Sequence, residues 1–193
     1  TRIMQKIEFE RISKTIQSLC VAACHELPAD VLETLRRASR RESNPRAARI
    51  LEQLVENARI ASEAMIPLCQ DTGLAVVFVE LGAEVEIVPA GPGRQTLVEA
   101  IHEGVQAGYE SGCLRKSVVA DPLNGRKNTG TNAPAVIHLS LVPGDRLKLS
   151  LMVKGGGCEN KSQFRMFRPT ADREQIVDWV ADVVRQAGAD ACP

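Results

Sequence analysis

Residues 74–81, LAVVFVEL, constrain the fold of this chain more than any other stretch. Three valines and a phenylalanine set between leucines make a short β-branched apolar run, the composition of a buried strand. Directly before it stands Cys69-Gln70-Asp71-Thr72-Gly73. A thiol, an amide, a carboxylate and a hydroxyl in succession cost free energy if they are buried without partners. The ends of regular elements are also where functional groups tend to lie. The junction is therefore the first candidate site. The alternative is a capped turn, since Asp-Thr-Gly is good turn material and Cys69 would then be a filler.

The segments around this strand set the fold class. Residues 1–65 read as helices: Ile3, Ile7, Ile12, Ile16, Leu19 and Ala23 follow helical spacing with charges between them. Pro28 opens a second helix carrying Val31, Leu32 and Leu35. Asn44-Pro45 starts a third, with Asn as cap and Pro in the first turn, and Ile50, Leu51, Leu54, Val55 and Ala58 line one face. After Met65 the pattern changes. Residues 96–109 predict a helix that ends near Gly112. Residues 135–142 and 146–153 predict two strands around Pro143-Gly144-Asp145, whose turn chemistry predicts a hairpin. Residues 173–187 predict a last amphipathic helix with Ile176, Val177, Val180, Val183 and Val184 apolar. The expectation is an α+β fold: an N-terminal helical leader (1–65) packed on a mixed sheet with flanking helices, the sheet belonging to a second portion (66–193).

Composition narrows the function. Hydrophobic residues make up 44% of the chain, enough for a core, and aromatics only 3%, so Leu, Ile, Val and Ala must fill it. The 24 basic side chains are balanced by 24 acidic ones, which argues against a nucleic-acid binder working through bulk charge. A local basic pocket for a small anion stays open. No run reaches the ~18–20 apolar residues of a membrane span, and the first ten residues contain no signal-peptide core. The reading is a cytoplasmic or organelle-matrix protein without a membrane partner. The six cysteines (Cys20, Cys24, Cys69, Cys113, Cys158 and Cys192) do not form the dense framework of a small secreted domain, so they are thiols or metal ligands.

Three further motifs carry possible chemistry. Asn128-Thr129-Gly130-Thr131-Asn132 follows a basic stretch with Arg115, Lys116, Arg126 and Lys127. A planar guanidinium near a polar loop suits a carboxylate, although each cation taken alone reads first as a solvated surface charge. Lys154-Gly155-Gly156-Gly157-Cys158-Glu159-Asn160-Lys161-Ser162 lets the backbone approach a ligand and present N–H groups to an anion. Its spacing matches neither a Walker loop nor a dinucleotide fingerprint, and a flexible loop is the alternative. Ala191-Cys192-Pro193 places a cysteine just past a helix and before a proline, as in some iron–sulfur proteins, or is an ordinary chain end. Cys20, Cys24 and His25 read as buried helix residues, Cys113 as structural, and His102 and His138 as non-catalytic.

Together, LCQDTGLAVVFVELG, LRKSVVADPLN, NTGTNAPAVIH, KGGGCENKS and GADACP resemble, in order and spacing, the α region of class I fumarate hydratases and L-tartrate dehydratases. The likeness runs over residues 67–193; the leader matches only in general character. It implies a hydro-lyase that interconverts fumarate and L-malate on a [4Fe–4S] cluster held by three cysteines, with one iron open to substrate as a Lewis acid. Residues 66–193 then form the cluster- and substrate-binding portion. By position, Cys69 and Cys192 would be cluster ligands. Gln70 and Asp71 would contact the substrate, with Asp71 catalytic. Arg115 would pair with a substrate carboxylate, and Gly155 and Gly156 would offer backbone N–H groups. Lys154 and Asn160 are secondary candidates.

The chain departs from that pattern in two places. Cys158 stands where fumarases carry serine and tartrate dehydratases carry cysteine, yet Glu159-Asn160-Lys161-Ser162 is fumarase-like. The leaning is to fumarate, with L-tartrate dehydration as the alternative and Cys158 not counted as a ligand. The resemblance also places the third cysteine ligand downstream, and proton-transfer residues in a β subunit or β region. The expectation is thus a fragment, or one piece of a split enzyme, inactive alone and partnered by that β component and by copies of itself in a homo-oligomer. The alternative from another class is a non-catalytic assembly or dimerisation domain.

Overall fold

The computed structural model describes residues 4–188, apart from the side chains of Cys158 and Glu159. The elements run β1 (Gln5–Glu8), α1 (Phe9–His25), α2 (Ala29–Arg41), α3 (Pro45–Ala64), β2 (Leu74–Gly82), β3 (Val85–Val88), α4 (Leu97–Ser111), β4 (Val136–Val142), β5 (Leu147–Lys154), α5 (Gly156–Glu159) and α6 (Arg173–Ala187). This is the expected α+β fold. Two compact units divide at Val153 and Lys154. No described helix is long and apolar enough to cross a membrane.

In the first unit the core lies between two helices and one face of a three-stranded sheet. On α1, Phe9, Ile12, Ile16, Cys20 and Cys24 recur at helical spacing and are buried. On α4, Ala100, Ile101, Val105 and Tyr109 do the same. These residues join Ala75, Val77 and Val79 of β2 in one cluster. Burying each large apolar side chain contributes about 1.5–3 kcal/mol. Thr96 begins α4 with a capping box: its hydroxyl accepts from the Glu99 N–H at 3.1 Å, and the Glu99 carboxylate accepts from the Thr96 N–H at 2.8 Å. The two helices touch through glycines. A Cβ at Gly104 would lie 2.4 Å from the Ser13 carbonyl oxygen, and one at Gly108 2.7 Å from Cys20 Cβ.

The sheet order is β4-β2-β5, with β2 and β4 parallel from Val76 opposite Val136 to Gly82 opposite Val142. Ala75, Val77 and Val79 face the helices. The other face of the sheet carries the exposed side chains of Leu74, Phe78, Val136 and Met152. There Lys148 pairs with Glu80 at 2.7 Å, and His138 stacks on Phe78 at 4.8 Å. The second sheet is the parallel pair β1 and β3. Helices α2 and α3 pack on each other; α2 buries no residue, and α3 buries only Ala58 and Ala61. Asn44 caps α3 by accepting from the Arg46 N–H at 2.9 Å, as its position before Pro45 predicts.

Three expectations are corrected. Residues 1–65 are not all helical: Gln5–Glu8 is a strand, because Val85–Val88 offers it a ladder that local spacing does not reveal. Residues 136–142 and 147–154 do not pair as a hairpin, because β2 lies between them. Their turn instead closes over the end of β2, where the Gly82 N–H donates to the Arg146 carbonyl at 2.9 Å. Finally, β2 is buried on one face only, its outward residues alternating with its core residues.

In the second unit, the glycine-rich segment forms the single turn α5, and Asp172 caps α6 by accepting from the Gln175 N–H at 2.8 Å. Trp179 meets Phe167 edge-on at 5.6 Å.

Candidate functional site

The polar junction before β2 is anchored on both sides. At its entrance the Leu68 N–H donates to the Cys24 carbonyl at 2.8 Å, and the Asn57 amide donates to the Leu68 carbonyl at 2.9 Å. Cys69 and Gln70 then stand exposed. The Cys69 thiol donates to Gln70 Oε1 at 3.3 Å and accepts from the Asp71 N–H at 3.5 Å. Asp71 Oδ1 accepts from the Gly73 N–H at 3.2 Å, a local Asx turn. Thr72 and Gly73 are buried.

The buried part of the junction is bonded to two distant segments. Thr72 Oγ1 donates to the Arg115 carbonyl at 2.9 Å. Asn132 is fully buried; its Nδ2 donates to the Gly73 carbonyl at 3.0 Å, and its Oδ1 accepts from the N–H groups of Ser117 and Val118 at 2.7 and 3.1 Å. Asn128 repeats the pattern toward solvent, donating to the Lys116 carbonyl at 2.8 Å. Three sequence-distant motifs therefore meet: the 69–73 loop, the 115–118 loop and the 128–132 loop. The 115–118 loop leaves Arg115 exposed, and its guanidinium makes no ion pair among the described residues. Ser117 Oγ is buried and has no hydrogen-bond partner among them.

Tyr109 closes the site from below. Its hydroxyl donates to the Thr72 carbonyl at 2.5 Å and lies 3.3 Å from that of Gly73. Burial pushes this phenol well above its ordinary range, helped by the thiols of Cys24 and Cys20 and by the Asp71 carboxylate; the Asn132 amide offsets this in part. It is a neutral donor. Burial also pushes the Cys20 thiol up to about 12, with Cys24 adding to the effect, and the Cys24 thiol up to about 11. Both are protonated core residues, as their helical spacing predicts. Cys113 is exposed, with φ 51°, rather than packed. His102 is partly buried; burial lowers its pKa, against a hydrogen bond to the backbone of Ala135.

Of the residues singled out from the sequence, Cys69, Gln70 and Asp71 share one loop, which Thr72 joins to the Arg115 backbone. Gly155 and Gly156 belong to the second unit, and Cys192 lies outside the described residues. Thr72, Tyr109 and Asn132 were not among the candidates, although two of them sit inside motifs that were. A signal for Tyr109 did exist. It is the chain's single tyrosine, on the apolar face of a helix, and a buried phenol needs a partner.

A sequence model described as fumarate hydratase (Fumerase) matches residues 13–193. The putative L(+)-tartrate dehydratase subunit alpha of Methanocaldococcus jannaschii is 33% identical over 95% of this chain and 64% of its own length. The L(+)-tartrate dehydratase subunit alpha of Escherichia coli strain UTI89 is 24% identical over 95% of the chain and 59% of its own length. The aerobic class I fumarate hydratase of Escherichia coli K12 is 35% identical over 73% of the chain, but only 25% of its own length is covered. The chain thus spans under two thirds of the length of each of these relatives. With residues 13–193 matched, the chain belongs to the fumarate hydratase (Fumerase) family.

Proposed function

We propose that this chain supplies a cluster- and substrate-binding part of a hydro-lyase that reversibly hydrates a four-carbon dicarboxylate, fumarate to L-malate first among them. The observation that carries the reading is the 2.9 Å bond from Thr72 to the Arg115 backbone. It ties the backbone of Arg115, whose exposed guanidinium makes no ion pair among the described residues, to the loop that carries a thiol, an amide and a carboxylate. Arg115 binds one substrate carboxylate by its two-pronged donor set. Gln70 orients the substrate, and Asp71 holds or moves a proton at its carboxylate. Gly155 and Gly156 contribute backbone N–H groups.

Cys69 fits a cluster ligand, because its sulfur is at the surface whereas Cys20 and Cys24 are buried and protonated. Among the described residues no group of three His, Cys, Asp or Glu converges to hold a metal. In this reading Cys192 and a further cysteine complete the set. The [4Fe–4S] cluster, when bound, supplies a Lewis acid that eases departure of the substrate hydroxyl. A β subunit or β region supplies the remaining proton-transfer groups, so activity belongs to the assembled enzyme and not to this chain alone.

L-Tartrate dehydration is the second reading. Two relatives that cover 95% of this chain carry that name, and Cys158 stands where the resemblance puts cysteine in tartrate dehydratases. The test is anaerobic reconstitution of the full α region with its β partner, followed by turnover of fumarate, L-malate and L-tartrate side by side. Cluster absorbance and activity that both disappear in Cys69→Ser support the assignment. An assembled wild type that forms no cluster and turns over no dicarboxylate sinks it in favour of an assembly domain.

A further inference from the structure

We infer that Asn132 is a positioning residue of this site: its amide locks the loop that carries Gln70 and Asp71 to the loop that carries Arg115, and so fixes the substrate-carboxylate clamp relative to the reacting end. The inference rests on the proposed hydro-lyase reading.

The geometry is specific. Asn132 is 0% exposed and spends both acceptor lone pairs and one donor on backbone groups of two other segments. Gly73 directly follows Asp71 and Thr72; Ser117 lies two residues past Arg115. The amide therefore joins the two halves of the site within a few residues of Asp71 and of Arg115. Its backbone is left-handed, φ 59°, a conformation that asparagine tolerates better than most residues. Two further bonds constrain the same junction: Thr72 Oγ1 to the Arg115 carbonyl at 2.9 Å, and the Tyr109 hydroxyl to the Thr72 carbonyl at 2.5 Å. Rate depends steeply on such placement, since a misplacement of about 1 Å far from the chemistry costs on the order of 100-fold.

Asn132→Asp separates positioning from folding. It keeps the size, the tolerance for φ 59° and an acceptor for the Ser117 and Val118 N–H groups. It also turns an oxygen toward the Gly73 carbonyl where the wild type has an N–H. In the assembled, cluster-loaded enzyme, kcat should fall about 10- to 100-fold, with cluster absorbance unchanged and the Ser117 and Val118 amides still protected from hydrogen exchange. Burial raises the pKa of the introduced carboxyl, so its protonated form donates to Gly73 again at low pH. Part of the lost rate should then return as pH falls, relative to wild type. Thr72→Val, which cuts only the tie to Arg115, should lower kcat in the same direction with the cluster intact, and decides the matter if Asn132→Asp does not fold. In a folded variant, a kcat within about twofold of wild type, or a loss that only tracks lost cluster without acid recovery, overturns the inference while the hydro-lyase reading stands. A wild type inactive on every dicarboxylate overturns both.

Discussion

The hydroxyl of Tyr109, in the last turns of α4, donates to the carbonyl of Thr72 at 2.5 Å, 37 residues away in sequence. One helix of the core thus holds the floor of the candidate site. Core packing and site geometry share this residue. Tyr109→Phe keeps the buried ring and removes only the donor. It leaves a buried carbonyl with weaker bonding, at a cost of about 1–2 kcal/mol. Urea unfolding should show the midpoint move down with an unchanged slope. An unmoved midpoint would mean the bond contributes nothing.

Gly104 sets how closely α1 and α4 approach. A methyl group there meets the Ser13 carbonyl at 2.4 Å and Ile16 Cβ at 2.7 Å, and neither can retreat without moving the helix. Alanine gains about 1 kcal/mol of helix propensity over glycine. Overpacking costs about 1–3 kcal/mol and more where backbone is struck. The clash should win, so Gly104→Ala should lower thermal stability. A stabilised variant would show that the crossing is looser than described.

The two core thiols make stability fall with alkali. Folded Cys20 and Cys24 titrate at about 12 and about 11, against 9.0 for an ordinary thiol. Above pH 9.0 the unfolded chain loses these protons while the folded chain keeps them. Their contribution is therefore complete below that pH and is lost as pH rises toward the folded values. Cys20→Ala should flatten this alkaline slope in pH-dependent denaturation. The same contrast governs alkylation: Cys69 and Cys113 should label in the native protein, and Cys20 and Cys24 only on unfolding, as read by peptide mass spectrometry. Early labelling of Cys20 would contradict its burial.

Arg115 should act on binding before it acts on rate. In the assembled enzyme Arg115→Ala should raise KM for the dicarboxylate about 10- to 100-fold, the loss of one charge-assisted, two-pronged contact of about 1.5–3 kcal/mol. Arg115→Lys should recover only part, because a point charge does not reproduce the planar donor pair. An unchanged KM in steady-state kinetics would remove Arg115 from the site.

Much of this protein was legible from the sequence. The strand at 74–82, the capped start of α3, the helix α4, the buried cysteines of α1 and the polar loop at 69–73 all follow from periodicity, caps and residue chemistry, which act over a few neighbours. Membership of the family was readable because five motifs keep one order. Tertiary structure alone decided the rest. Gln5–Glu8 became a strand because a partner 80 residues away completes its ladder. The supposed hairpin opened because β2 took the place between its arms. Asn132, Tyr109 and Thr72 became the ties of the site because their partners are backbone atoms of distant loops. A side chain's type states which bonds it needs; only the folded chain states which groups, far apart in sequence, are near enough to satisfy them.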